Sequence, residues 1–212
     1  MEEHSYPSPL EKRLTDEEVF SQIWLNPRKV FKFIYFYQYD KYMAILLVLA
    51  GIANAFQKIS SINISIVSII IIYVIMGAIV GLIGNYIFAA LISWTGDWIK
   101  GRASTKAILK VLAYSSIPLV FTPITVIARV VLRGNGDFND DLDGYNSLTQ
   151  FIDKGLLLLS GVLATWAFVI CVVGIAEVQK FSIGKAILNL ILPFLLIIIP
   201  IIVIALLVKM GN

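Results

Sequence analysis

Apolar positions in this chain gather into five long runs separated by short polar segments. The runs are Met43–Phe56, Ile62–Trp94, Val111–Leu132, Leu156–Val173 and Ala186–Val208. Most approach or exceed the roughly 20 residues a helix needs to cross about 30 Å of hydrocarbon. Lipid leaves no water for backbone N–H and C=O groups, so crossing segments must be helices or closed barrels. None of the runs shows the apolar/polar alternation of barrel strands. The pattern therefore predicts an all-α, polytopic membrane protein: a bundle of five transmembrane helices behind an N-terminal helical segment.

That segment divides further. Residues 1–14 are polar, contain Pro7 and Pro9, and are expected to be a disordered tail. Residues 15–41 are expected to be amphipathic helices at the cytoplasmic membrane surface, and residues 42–210 the five-helix domain. Thr15 and Glu18 have the spacing of a capping box, with Val19, Phe20, Ile23 and Trp24 on one face beyond it. The helix should stop near Asn26, because the residue before Pro27 is biased away from αR. Pro27 is then suited to the first position of a second helix. That helix mixes Arg28, Lys29 and Lys32 with Phe31, Phe33, Tyr35, Phe36 and Tyr37, the combination expected at headgroup level; packing under the bundle as a cap is compatible with it.

Charge orients the bundle. Arg28, Lys29, Lys32 and Lys41 precede the first run, and Lys58 alone follows it. Lys100, Arg102, Lys106 and Lys110 face a single Asp97 in the second connection. The third carries Asp137, Asp140, Asp141, Asp143 and Asp153 with no basic residue, and Lys180 and Lys185 fill the fourth. The positive-inside rule puts the N-terminus in the cytoplasm and the C-terminus outside, as an odd number of spans requires. The terminal Lys209 dissents and can snorkel.

Composition agrees. Hydrophobic residues make up 58% and charged residues 15%, against about a quarter charged in a soluble domain; mean hydropathy is +0.85. The net charge of +3 is explained by topology, so no nucleic-acid partner is expected. Cys171 is the only cysteine and His4 the only histidine, which leaves no disulfide and no Cys/His metal centre. The chain opens on Met1-Glu2-Glu3 without a basic n-region, so the first span is expected to be its own insertion signal.

Small residues at Gly77, Gly81 and Gly84 let helix backbones approach closely where lipid supplies no hydrophobic drive. Packing within one bundle is the expected use, with Asn85 bonding a neighbouring helix; a homo-oligomer face is the alternative. Lys106-Ala107-Ile108-Leu109 and Lys185-Ala186-Ile187-Leu188 echo one another, each after an acid and a lysine (Asp97 and Lys100, Glu177 and Lys180) and before a proline (Pro118, Pro193). The echo suggests two helix-pair units of parallel orientation.

The segment Trp94-Thr95-Gly96-Asp97-Trp98-Ile99-Lys100-Gly101-Arg102-Ala103-Ser104-Thr105-Lys106 continues to Tyr114-Ser115-Ser116-Ile117-Pro118. It resembles the core of the Yip1-domain family: a Gly/Lys-rich cytoplasmic turn, then Tyr-[Ser/Ala]-x-x-Pro in the next helix. The Asn26-Pro27-Arg28-Lys29 segment and the spans are also similar, so the resemblance covers the chain from about Val19 onward. It implies a non-enzymatic integral membrane protein. Eukaryotic members act in early secretory and Golgi trafficking with Rab-type GTPases, and carry an acidic-Leu-Tyr-Gly-Pro motif that this chain lacks. Its short tail and Ile/Lys/Asn-rich composition resemble the bacterial branch, in the cytoplasmic (inner) membrane, where Rab partners are not expected. Within the turn, Ser104 is placed to N-cap the third span while Lys100, Arg102, Lys106 and Lys110 face anionic headgroups, each contributing about 1 kcal/mol. Pro118 breaks a hydrogen bond that Ser115 or Ser116 is placed to compensate.

Other chemistry is sparse. Asp137-Phe138-Asn139-Asp140-Asp141 has oxygen ligands at alternate positions, but Leu142 stands at the glycine position of a calcium loop and Leu148 at its glutamate, so a solvated turn is expected. Arg129, Asp97 and Glu177 lie near span ends; Asp97 and Glu177 are expected to pair with Lys100 and Lys180, the alternative being a shared proton or cation site. No Walker loop, zinc helix, nucleophile elbow or dinucleotide fingerprint occurs, and no cofactor is expected. The working surface is expected at the cytoplasmic face, on Trp24, Arg28, Lys29, Trp98, Lys100, Arg102 and Lys106, toward membrane lipids or a protein partner. Gly77, Gly81, Gly84, Asn85 and Pro118 are expected to shape helix packing. The competing reading is a small transporter or channel lined by Asn85, Tyr114, Ser115 and Asn189, which requires a water-filled cavity.

Overall fold

The structure, a computed structural model, describes residues 13–57, 66–133 and 144–211. Most of the proposed tail, His4, Lys58 and the Asp137–Asp143 loop lie outside them. Among the described residues every element is helical: α1 (Asp16–Gln22), α2 (Pro27–Phe36), α3 (Met43–Phe56), α4 (Ile66–Trp98), α5 (Thr105–Ser115), a 3-10 turn (Ile117–Phe121), α6 (Thr122–Arg133), α7 (Ser147–Gln179) and α8 (Ile183–Gly211).

Within the described residues all five apolar runs lie in helical elements, but not as five equal spans. α4, α7 and α8 are each long and apolar enough to cross a membrane, and α5 with α6 makes a fourth candidate bent by 40°. α3 has 14 residues, about 21 Å at 1.5 Å per residue. α4 and α7 have 33 residues each and α8 has 29; α7 outruns its apolar stretch because capped polar turns prolong it at both ends. Pro118 explains the bend. Its ring cannot donate to the preceding turn, and the chain tightens into the 3-10 turn there. The Ser115 and Ser116 hydroxyls donate to the Leu112 and Ala113 carbonyls at 3.2 and 2.7 Å, in the last turn of α5.

The helix starts follow local chemistry. Thr15 and Glu18 form the complete capping box of α1, Pro27 opens α2, and Ser104 accepts from the Ala107 N–H at the start of α5. The turns that follow α4 and α7 each hold a lysine in the left-handed region, Lys100 (φ 69°) and Lys180 (φ 59°). In each turn the next N–H reaches back five residues, Gly101 to the Gly96 carbonyl at 2.8 Å and Phe181 to that of Ala176 at 2.9 Å. The two helix pairs flanking the sequence echo thus share one kind of turn.

The hydrophobic core lies at the end of the bundle that carries α1 and α2. Val19, Ile23, Val30, Phe31 and Ile34 are buried there with Ile92 of α4, Ile108 and Val111 of α5, and Ile170 and Ile175 of α7. The N-terminal helices are part of this core rather than laid beside it. Phe31 packs so closely on α7 that a Cβ at Gly174 would stand 2.7 Å from its ring and 2.5 Å from Val111. Away from this end, α4 and α8 expose apolar side chains along their length.

Asp16 fastens α1 to the loop before α3. Its carboxylate accepts from Lys41 Nζ, from Tyr39 Oη at 2.6 Å and from Tyr42 Oη at 2.7 Å. The Lys41 ammonium first, then the two hydroxyls, hold this carboxyl well below the usual range. A depressed folded-state pKa means the clasp is fully made above the unfolded carboxylate value of about 3.9 and is lost as pH falls through the folded one. Protection of the α1 amides from hydrogen exchange, taken relative to the intrinsic rate at each pH, is therefore expected to be flat through neutral pH and to fall in acid below that value. Asp16→Asn should show the reduced protection at every pH.

Candidate functional site

Four elements meet at the α1–α2 end through buried amides. The Gln179 Oε1 accepts from the Ala103 N–H at 2.9 Å, and its Nε2 donates to Asn189 Oδ1 at 3.2 Å. Asn189 Nδ2 donates in turn to the Ile92 carbonyl and to Thr95 Oγ1, both at 3.0 Å. The Thr95 hydroxyl donates in turn to the Leu91 carbonyl at 2.9 Å. All these side chains are buried, and each polar atom that faces the interior has a partner, as burial demands. The glycines of the turn make the space: a Cβ at Gly96 would stand 2.3 Å from Gln179 Nε2, and one at Gly101 would stand 2.3 Å from its Oε1. The sequence motif is thus a socket for the last residue of α7. Sequence inspection missed Gln179, although a glutamine closing an apolar run opposite two glycines is the signal that finds it.

Around this hub lie the charges. Glu177 pairs with Lys180 at 2.9 Å and with Arg28 at 3.6 Å, and Lys106 pairs with Asp40 at 3.0 Å. The Lys106 contact holds the Asp40 carboxyl below its ordinary value. Lys29, Lys32, Lys100, Arg102 and Lys185 are exposed and have no acidic partner among the described residues. Asp97 is exposed and meets neither Glu177 nor the Lys100 ammonium, so no shared carboxylate site forms. Lys110 departs from the expected headgroup contact. It shares the inward face of α5 with Ala107 and Tyr114, is 2% exposed, and donates to Gln38 Oε1 at 3.1 Å. Trp98 stacks edge-on with Trp94, ring centres 5.0 Å apart, both half exposed. Trp24 belongs elsewhere, half buried against Phe121 at 6.2 Å.

The glycine stripe serves contact within the chain. A Cβ at Gly51 of α3 would stand 2.2 Å from the Gly77 carbonyl oxygen and 2.6 Å from Gly81 Cα. Gly84 does not take part: nothing lies within 4 Å of its would-be Cβ. Among the described residues Asn85 bonds no neighbouring helix; it donates to the Gly81 carbonyl of its own helix at 2.7 Å and lines an apolar groove of about 400 Å³ between α3 and α4. Tyr114, Ser115 and Asn189 do not line that groove; they are packed in the interior.

At the far end, Asp153 near the start of α7 is buried between two arginines of α6. Arg129 Nε lies 3.0 Å and Arg133 Nη2 2.7 Å from its oxygens. The clamp went unseen because Asp153 reads as one more acid of a solvated loop and Arg133 as a terminal residue. It also fixes the path of the bent pair. α5 starts beside Gln179 at one end of α7, and α6 finishes beside Asp153 at the other, so the two together traverse the bundle.

Among the described residues no group of three or more His, Cys, Asp or Glu could hold a metal ion. Comparison with curated proteins and with solved structures finds no match. The family model for the Yip1 domain matches residues 16–204, which takes in α1, the glycine socket, Gln179 and most of α8. The match covers most of the chain, and with the apolar helices it establishes that this chain is a membrane protein of the Yip1-domain family.

Proposed function

We propose that this protein is a non-enzymatic, five-span membrane component whose α1–α2 end is cytoplasmic and engages anionic lipid headgroups. A protein partner docking on the same face is the variant of this reading for which no particular partner chemistry is visible. The observation that carries it is the distribution of unpaired charge. Within the described residues Arg28, Lys41, Lys106 and Lys180 are committed to Glu177, Asp16 and Asp40. Lys29, Lys32, Lys100, Arg102 and Lys185 are left facing outward, with Trp94 and Trp98 beside the turn. Tryptophan and basic residues together suit a membrane–water interface. α3 is taken as the first crossing, because it packs lengthwise on α4 and polar residues close both its ends. Burial of Tyr114, Ser115 and Asn189 in bonded, packed positions supports this reading over a transport path.

Lipid binding tests it. Titrating phosphatidylglycerol into the detergent-solubilised protein, with bound lipid counted by native mass spectrometry, should give saturable retention. Two basic groups at about 1 kcal/mol each make Lys100→Ala with Arg102→Ala roughly 30-fold weaker in affinity. An affinity unchanged by the double substitution, or equal retention of phosphatidylcholine, would overturn the reading.

A further inference from the structure

The apolar belt of this protein is much taller on one flank than on the other, and packing contacts give the register needed to compare them. Gly51 of α3 sits between Gly77 and Gly81 of α4, and Phe56 meets Tyr73 with ring centres 6.4 Å apart. The two helices are therefore antiparallel, with Lys41 level with about Ala89. Between α4 and α8, Phe88 meets Phe194 at 5.4 Å and Ile92 accepts from Asn189. Ala89 is thus level with about Pro193. Lys185, the first charge on α8, lies about 12 Å nearer the α1–α2 end than Lys41 does, at 1.5 Å per residue.

Both boundaries are marked by chemistry. At the start of α3, the Asp16–Lys41 and Asp40–Lys106 pairs are substantially exposed, and all four charges require water or headgroups at that level. Over the same 12 Å band, α8 presents Ile187, Leu188 and Ile191, and α4 presents Trp94, all exposed. Those side chains match hydrocarbon and its interface. At the opposite face the flanks come level: counting along the same registers, Gln57 after α3 and Lys209 of α8 both stand level with Tyr73. Tilting the whole molecule would displace the α3 flank by similar amounts at both faces, so tilt does not account for a step at one face only. The polar-to-polar height is about 24 Å along α3 and about 36 Å along α8.

We propose that the protein thins the bilayer locally on its α3 flank, drawing in the leaflet on the α1–α2 side by about 10 Å while the other leaflet stays level. The ligand of this surface is the bilayer itself, held at two thicknesses by one molecule. The proposal uses α3 as a crossing, but does not depend on headgroup charge.

The test is cryo-electron microscopy of the full chain in nanodiscs of zwitterionic dioleoyl phosphatidylcholine. Headgroup density on the α1–α2 side should dip toward the opposite leaflet beside α3 by about 10 Å and keep full separation along α8. In short-chain dimyristoyl phosphatidylcholine the dip should shrink, because that bilayer is already closer to the height of α3. Headgroup density flat to within about 3 Å around the whole perimeter would overturn the proposal. Gln57→Cys, labelled with an impermeant maleimide from the face opposite α1 and α2, checks the crossing separately. The neutral lipid keeps the result independent of any preference for anionic headgroups.

Discussion

Replacing Gln179 with alanine is expected to be among the most damaging polar truncations in this chain. It leaves the Ala103 N–H and the Asn189 Oδ1 buried without the partners they now have at 2.9 and 3.2 Å. Each orphaned group costs about 1–3 kcal/mol, so a loss near 3 kcal/mol is expected. In a protein of this size that corresponds to a melting temperature lower by roughly 6–12 °C. Thermal unfolding in detergent, followed by tryptophan emission, measures it directly, since Trp94 and Trp98 lie on the turn that Gln179 holds. Gly96→Ala with Gly101→Ala should reproduce much of the defect by pushing the same amide out of its socket. A melting point within a degree or two of the parent for Gln179→Ala would mean that the hub contributes little.

The second large effect is expected at Gly51. An alanine there places its methyl against the Gly77 carbonyl oxygen and Gly81 Cα, both backbone atoms. No side chain is available to move aside, so α3 and α4 must separate along their length. Overpacking of this kind costs about 1–3 kcal/mol and occasionally more, and a methyl between two backbones belongs at the upper end. Gly84→Ala is the matched control. It meets nothing within 4 Å, so only helix propensity acts, and a gain of up to about 1 kcal/mol is expected. Opposite signs from two glycine-to-alanine changes at the same helix pair are measurable by steric trapping in bicelles. Equal losses would show that Gly84 also carries a contact.

Much of this architecture was legible because lipid restricts the options. Uninterrupted apolar runs in such a chain become helices, and Thr15, Pro27 and Ser104 marked helix starts through strictly local bonds. The number of crossings was less legible. α3 is short and the third span is broken, and run length alone does not tell a full span from a bent pair. Gly84 and Asn85 failed for a different reason: spacing of small residues identifies a stripe, but only the crossing point of α3 decides which glycines it reaches. Lys110 was misassigned because it shares a basic connection with Lys100 and Arg102 while belonging to the inward face of α5. The hub escaped notice because its members lie on four separated segments, and glutamine, asparagine and threonine carry no signature in isolation. The Arg129–Asp153–Arg133 clamp was hidden likewise by distance along the chain.

The burial of α2 also sets a schedule for biogenesis. Phe31 is completed by Val111 and by the space at Gly174, and Gly174 is polymerised well over a hundred residues after it. At about 5–20 residues per second, the ribosome needs roughly 7–30 s to deliver that partner. Throughout this interval the apolar face of Val30, Phe31 and Ile34 has no finished groove to enter. α1 and α2 are therefore made long before they can be seated, and a nascent chain stalled before α7 carries an unsatisfied hydrophobic segment that quality-control factors are able to bind.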